Sequence, residues 1–105
     1  MIMEKMAEKV LVDINVPREV SERLEDAGFD MIYLTEKFPQ DTDDEEIFEW
    51  METKKIPILT RDKRFPENGG NLKITLESQS PVKLTRKAFS KLIDLQIYPK
   101  PLTNS

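Results

Sequence analysis

Any catalysis by this chain must use carboxylates, hydroxyls, amides or cations, and the acidic side chains are the first candidates. The chain has no His and no Cys, which excludes a histidine general base, a Ser-His-Asp triad and metal sites built on thiolate or imidazole. The candidate acids are Asp13, Asp62 and either Asp43 or Asp44. Carboxylates that converge in a crevice repel one another, and a divalent cation relieves that repulsion. Oxygen ligands select Mg²⁺ or Mn²⁺, so we expect metal-assisted hydrolysis of a phosphodiester.

Short apolar runs predict the strands that would position these acids. Residues 9–13 contain the apolar run Val10-Leu11-Val12, of β-branched character, which indicates a buried strand ending at Asp13. Further strands are predicted at residues 31–34, 56–60 and 71–77. Asp62 follows the third of the four strands by two residues, so it lies at the same kind of strand end as Asp13.

Three helices are predicted from capping residues and apolar periodicity. The first begins at Pro17 and stops at Gly28, which can adopt a left-handed conformation. The second spans residues 43–54, with Thr42 opening a capping box. The third opens at residues 80–81. Its apolar side is formed by Leu84, Ala88, Leu92 and Leu95.

The order of these elements predicts a three-layer α/β domain with a mostly parallel sheet of about four strands. A chain of 105 residues is the size of one domain, so we expect a single domain over residues 1–105 with a core at about 9–95. Loops are expected at residues 35–42 and 61–70, and an irregular tail at 96–105. In such sheets ligands bind outside the carboxyl ends of the strands, which is where the candidate acids are predicted to lie.

Composition indicates a folded cytoplasmic protein without a membrane span. Hydrophobic residues make up 38% of the chain and are interrupted often by the 34% that are charged. Residues 1–60 carry 7 basic against 16 acidic side chains, whereas residues 61–105 carry 9 against 4. A basic surface beside an acidic pocket could hold a phosphodiester chain, although charges scattered over a solvated surface explain the asymmetry equally well.

Each candidate residue also has a structural interpretation. Asp13 could cap the turn that follows its strand, and Asp44 suits the dipole of a helix N-terminus. Asp62 could form a surface salt bridge with its basic neighbours. Asn15 could be a helix cap or an amide that supports the site. The expected position of the acids along one edge is what favours a joint role.

Three segments resemble the motifs of a small PIN-like domain family related to VapC-type toxin ribonucleases. They read Val-Leu-Val-Asp-Ile-Asn-Val-Pro at residues 10–17, Asp-Glu-Glu-Ile at 44–47 and Leu-Thr-Arg-Asp-Lys-Arg-Phe at 59–65. The resemblance extends over about residues 9–95. It implies a PIN-like α/β/α fold, RNA cleavage that depends on Mg²⁺ or Mn²⁺, and commonly an antitoxin partner and a homodimer.

Position by position, the resemblance makes Asp13, Asp44 and Asp62 the catalytic and metal-binding acids. The residues expected to bind substrate are Asn15, Arg61, Lys63 and Arg64. Two positions depart from the family pattern: Ile14 stands where the family usually has Glu, and Arg64 where it usually has Asp. The acidic set is therefore thinner, and Arg64 would either weaken metal binding or contact the substrate phosphate.

Three functional hypotheses follow. The first is a metal-dependent endoribonuclease, and the second is a PIN-like scaffold that binds a protein partner or RNA without cleaving it. The third, another carboxylate-bearing doubly wound protein such as a phosphoryl-transfer or receiver domain, is disfavoured because only 3 Gly are present and Asn15 stands where a second Asp is needed. The basic residues that could follow an RNA backbone, or simply face solvent, are Lys83, Arg86, Lys87 and Lys91. The sequence selects no RNA target, antitoxin or oligomeric state.

Overall fold

Four short strands form one parallel sheet. The computed structural model describes residues 8–64, 72–77 and 79–101. The strands are β1 (Lys9–Val12), β2 (Asp30–Tyr33), β3 (Ile58–Thr60) and β4 (Lys73–Thr75). Their order across the sheet is β2-β1-β3-β4, and every neighbouring pair is parallel. The predicted sheet is therefore confirmed, although β1, β3 and β4 are one to four residues shorter than predicted and β2 begins one residue earlier.

Four helices cover the two faces of the sheet. They are α1 (Arg18–Ala27), α2 (Leu34–Lys37), α3 (Asp44–Lys54) and α4 (Pro81–Asp94). α1 and α4 pack together on one face, and α3 packs on the other. This arrangement confirms the predicted three-layer α/β fold.

The alternation of side chains along each strand divides the core into two clusters. Val10, Val12 and Leu59 pack with the apolar faces of α1 and α4. Leu11 and Ile58, one position out of phase, pack with α3. A strand buried on both faces needs apolar residues at successive positions, which is why these runs are continuous rather than alternating.

The segment between β2 and α3 differs from the prediction. Residues 35–42 were expected to form a loop, but α2 occupies the first part of that stretch. The capping box at Thr42 is wrong: Asp43 is the N-cap residue of α3, without a side-chain capping bond. The Thr42 hydroxyl instead donates to the carbonyl of Pro39 at 2.7 Å, which closes the turn before the helix.

The C-terminal segment after α4 is anchored to the rest of the domain. Ile97 is buried in the same cluster as α1 and α4, so the core continues beyond residue 95. The backbone N–H of Lys100 donates to the carbonyl of Gly28 at 2.9 Å, and the Lys100 ammonium lies 3.5 Å from the carboxylate of Glu8. Residues 98–101 have no regular secondary structure, and residues 102–105 and most of the expected loop 61–70 lie outside the described residues.

Gly28 is required where α1 ends and the C-terminal segment crosses it. Its φ angle is +114°, in the region that favours glycine. A Cβ atom at this position would lie 2.5 Å from the carbonyl oxygen of Lys100. Both the backbone conformation and the close approach of the second segment therefore exclude a side chain.

We predict that Gly28→Ala lowers the free energy of unfolding by at least about 1–2 kcal/mol, since alanine is strained at positive φ. Urea denaturation of wild type and variant measures the loss. Repeating the comparison in a chain that stops at Tyr98 separates the two causes, because removing Lys100 relieves the steric clash and leaves the backbone strain. An equal loss in both backgrounds would show that the contact with Lys100 contributes nothing.

Candidate functional site

The strand order creates a crevice between the carboxyl ends of β1 and β3. β1 is central, and the chain leaves it through α1 toward β2 on one side, then crosses to β3 on the other. The loops after β1 and β3 therefore separate at this point of the sheet, and such a switch point is where parallel sheets bind ligands. Asp13 follows β1 directly, and Thr60 is the last residue of β3.

The carboxylate of Asp13 is held by the hydroxyl of Thr60. Val12 pairs with Leu59 in the parallel register, so the next residues, Asp13 and Thr60, lie side by side. The Thr60 hydroxyl donates to Asp13 Oδ2 at 2.7 Å. Asp13 Oδ1 accepts from the backbone N–H of Ile14, also at 2.7 Å. Asp13 is only 7% exposed and Thr60 is fully buried, so these two donors replace water around a buried carboxylate.

The same hydroxyl also fixes the loop that carries Asp62. The backbone N–H of Asp62 donates to Thr60 Oγ1 at 3.0 Å. Asp62 Oδ1 in turn accepts from the backbone N–H of Arg64 at 2.9 Å. From the other loop, Asn15 Oδ1 accepts from the backbone N–H of Arg61 at 3.0 Å. We call Asp13, Asn15, Thr60 and Asp62 the Thr60 network; it ties the loops after β1 and β3 together.

Asp44 lines a cleft next to the Thr60 network. This cleft, of about 470 Å³, is lined by Asp44 together with Ile14 and Thr35. A smaller cleft of about 240 Å³ is lined by Asp13 and shares Ile14 and Thr35 with the first. Ile14 is 78% exposed. Asp13 and Asp44 therefore border adjoining clefts on either side of an exposed isoleucine.

The donor set fits a hard cation in part. All candidate ligands are oxygen atoms, as Mg²⁺ and Mn²⁺ prefer. Within residues 8–64, 72–77 and 79–101, however, no three acidic side chains are grouped so that they could hold one ion. Each Asp13 oxygen receives one donor and has two acceptor positions, which leaves capacity for a ligand. The residues suit an ion held by one or two carboxylates, with water and substrate completing its shell.

Two structural interpretations of the candidate residues are wrong. Asn15 is not a helix cap. Pro17 is the N-cap residue of α1, and no side chain forms a capping hydrogen bond at the N-terminus of this helix. Asp62 does not form a salt bridge with its basic neighbours among the described ion pairs. Arg61, Lys63 and Arg64 all have exposed side chains, and Arg64 contacts Asp62 through its backbone N–H rather than its guanidinium.

Thr60 is the site residue that sequence reasoning missed. The sequence does contain a signal for it: Thr60 is the one hydroxyl in the apolar run 56–60, and it precedes Asp62 by two residues. Its role depends on reaching Asp13, which lies 47 positions earlier in the chain. The pattern within one strand does not show which residue of another strand stands beside it.

Comparison with known families gives the class of this protein. The PIN-like domain family matches residues 8–83, a span that includes all three sequence motifs. The chain belongs to the PIN-like domain family, as the motifs predicted. No curated protein and no solved structure matches it. No helix in the described part of the chain combines the length and hydrophobicity needed to cross a membrane.

We predict that Thr60→Val lowers the free energy of unfolding by about 1–3 kcal/mol, because a buried carboxylate oxygen and the Asp62 N–H both lose their partner. The replacement keeps the shape of the side chain, so packing changes little. Thr42→Val is the matched control, since its hydroxyl bonds near the surface and its loss should cost about 0.5 kcal/mol or less. Equal urea midpoints for both variants would contradict a supporting role for Thr60.

Proposed function

We propose that this chain is a ribonuclease of the PIN-like type that depends on Mg²⁺ or Mn²⁺ and hydrolyses RNA phosphodiesters. The supporting observation is the position of Asp13: a buried carboxylate at the switch point of a parallel sheet, oriented by Thr60 and joined through it to the Asp62 loop. The membership in the PIN-like family points to nuclease chemistry. The absence of His and Cys leaves carboxylates as the available metal ligands.

In this proposal the ion is held by Asp13 and Asp62, and Asp44 adds negative charge at the adjoining cleft. A bound ion of this kind lowers the pKa of a water molecule and neutralises the scissile phosphate. Asp13 is suited to be a metal ligand because Thr60 holds its carboxylate in one orientation. Little reorganisation is therefore needed when an ion binds. Asn15 supports the site by holding the loop after β3 through the Arg61 N–H.

The cationic side chains beside the site would attract the substrate. Arg61, Lys63 and Arg64 are exposed on the loop that begins directly after Thr60. Arginine and lysine bind phosphate through charge-assisted hydrogen bonds. Because the Arg64 side chain is absent from the described ion pairs, its charge is available to a phosphate oxygen rather than neutralised by Asp62.

The biological setting is a further part of the proposal. A toxin ribonuclease acts on RNA in the cytoplasm and is neutralised by an antitoxin protein. The motif resemblance supports this setting, and a homodimer is expected on the same ground. Co-purification of an antitoxin with the chain from its own host would test it.

Cleavage of labelled single-stranded RNA in Mn²⁺ or Mg²⁺ tests the proposed reaction. Asp13→Asn and Asp62→Asn should each reduce the rate by about 10- to 100-fold or more, since loss of a metal-site residue commonly has effects of that size. Asp26→Asn, an exposed acid on α1, is the control and should leave the rate unchanged. Cleavage that persists in EDTA or in both site variants would refute the proposal.

The second candidate function is a PIN-like scaffold that binds a protein or RNA without cleaving it. Two observations favour it. The described residues contain no group of three acids placed for a metal ion, and the exposed Ile14 lines the clefts of both Asp13 and Asp44. An apolar side chain there contributes no charge to a cation.

Calorimetric titration with Mn²⁺ separates the two candidates. The ribonuclease should show saturable binding that is lost in Asp62→Asn, whereas the scaffold should release no heat. Ile14→Glu should tighten binding by roughly fivefold, because a new carboxylate adjoins the site and contributes about 1 kcal/mol of attraction. Val82→Glu changes another exposed apolar residue and should have no effect. Equal tightening by both variants would indicate non-specific charge.

A further inference from the structure

A stripe of three lysines runs along α4. Lys83, Lys87 and Lys91 are spaced four residues apart, and all are exposed. Successive members of the stripe rise about 6 Å along the helix axis. Like charges at this spacing destabilise a helix, and the stripe begins in the first turn of α4, where the helix dipole also disfavours cations. Lys91 lies in the last turn, where the dipole favours a cation, but helix stability does not account for Lys83 and Lys87.

The cations of α4 have no acidic partners in ion pairs of the described residues. The three ion pairs join Lys9 to Asp30, Arg23 to Glu19 and Lys100 to Glu8. The first turn of α4 has no acidic residue. The single acidic residue of the whole helix is Asp94, at its last position. Among the described residues, the lysines of the helix are thus not engaged in ion pairs, which leaves their charge available to an anionic partner.

Lys87 and Lys91, the C-terminal members of the stripe, border a cleft at the edge of the sheet. The cleft has a volume of about 490 Å³ and is lined by Lys73 and Thr75 of β4 and by Lys87, Lys91 and Asp94 of α4. The lining therefore includes three lysines and one acidic residue. The cleft is polar and open, which suits a charged chain rather than an apolar ligand.

Two contacts connect this cleft with the proposed cleavage site. Thr75, which lines the cleft, pairs with Thr60 in the register of β3 and β4, so the two residues are separated by one strand spacing of about 4.8 Å. In addition, the ammonium of Lys73 donates a hydrogen bond to the carbonyl of Lys63. The loop that carries Asp62 is therefore hydrogen-bonded to β4, the strand that lines the cleft.

We infer that the surface formed by β4 and the lysine stripe of α4 binds the sugar–phosphate backbone of single-stranded RNA as it leaves the cleavage site. The inference rests on the proposed function for the identity of its ligand. α4 begins shortly after β4 ends, so Lys83 lies near the carboxyl edge of the sheet that holds the Thr60 network. Lys87 and Lys91 then continue the positive charge away from that edge, at intervals similar to those between phosphates of an extended strand.

Binding of a fluorescent single-stranded RNA, measured by anisotropy in EDTA so that no cleavage occurs, tests this surface. The double variant Lys87→Gln with Lys91→Gln should bind roughly tenfold more weakly at low salt. Its plot of log affinity against log salt should lose about 1.4 from its slope, or about 0.7 for each phosphate contact removed. Circular dichroism should be unchanged because both side chains are exposed.

The control removes the same amount of charge from the opposite face. Lys54→Gln with Lys55→Asn alters two exposed lysines at the end of α3, and asparagine tolerates the φ of +60° found at residue 55. This pair should bind RNA as the wild type does. Equal weakening by both pairs, or none by the α4 pair, would overturn the inference.

The failure of this inference can be distinguished from the failure of the proposed function. If wild type never cleaves RNA but the α4 pair still weakens RNA binding selectively, the backbone surface stands and the ribonuclease proposal falls. If the α4 pair loses affinity for poly-glutamate and keeps its affinity for RNA, the surface takes an acidic protein and the RNA inference is wrong.

Discussion

The hydrogen bond from the Thr60 hydroxyl to the Asp13 carboxylate is the interaction on which the site depends. A carboxylate with 7% exposure would be costly to bury without donors. The parallel pairing of β1 with β3 brings the hydroxyl to it. The same oxygen accepts the Asp62 N–H, so one side chain sets the position of two acids. The geometry of the crevice is therefore a product of strand register.

The three-layer architecture separates two kinds of surface. The side of the sheet covered by α3 carries the acidic helix start and the cleft beside Asp44. The β4 edge and α4 carry most of the positive charge of the C-terminal half. The crevice between β1 and β3 lies between them. A nuclease needs both, because metal binding requires negative charge and the substrate backbone requires positive charge.

Ile14 and Arg64, the two departures from the motif pattern, leave the hydrogen bonds of the site in place. The backbone of each residue takes part in the local network, through the Ile14 N–H to Asp13 and the Arg64 N–H to Asp62. A backbone N–H can donate the same hydrogen bond whichever side chain the residue carries. These two hydrogen bonds can therefore form whether the residue at each position is acidic, apolar or basic.

The sequence by itself determined the class of fold, the order of the elements and the family. Apolar runs, capping residues and helical periodicity are local signals, so they located all four strands, α1, α3 and α4; they missed α2, whose four residues are too few to show a period. The tertiary structure alone decided which polar groups meet. Thr60 reaches Asp13 across 47 positions, Asp44 faces a different cleft, and Gly28 must accommodate Lys100. Those contacts depend on strand register and on how distant segments pack together. The residues of one segment alone do not determine either of these.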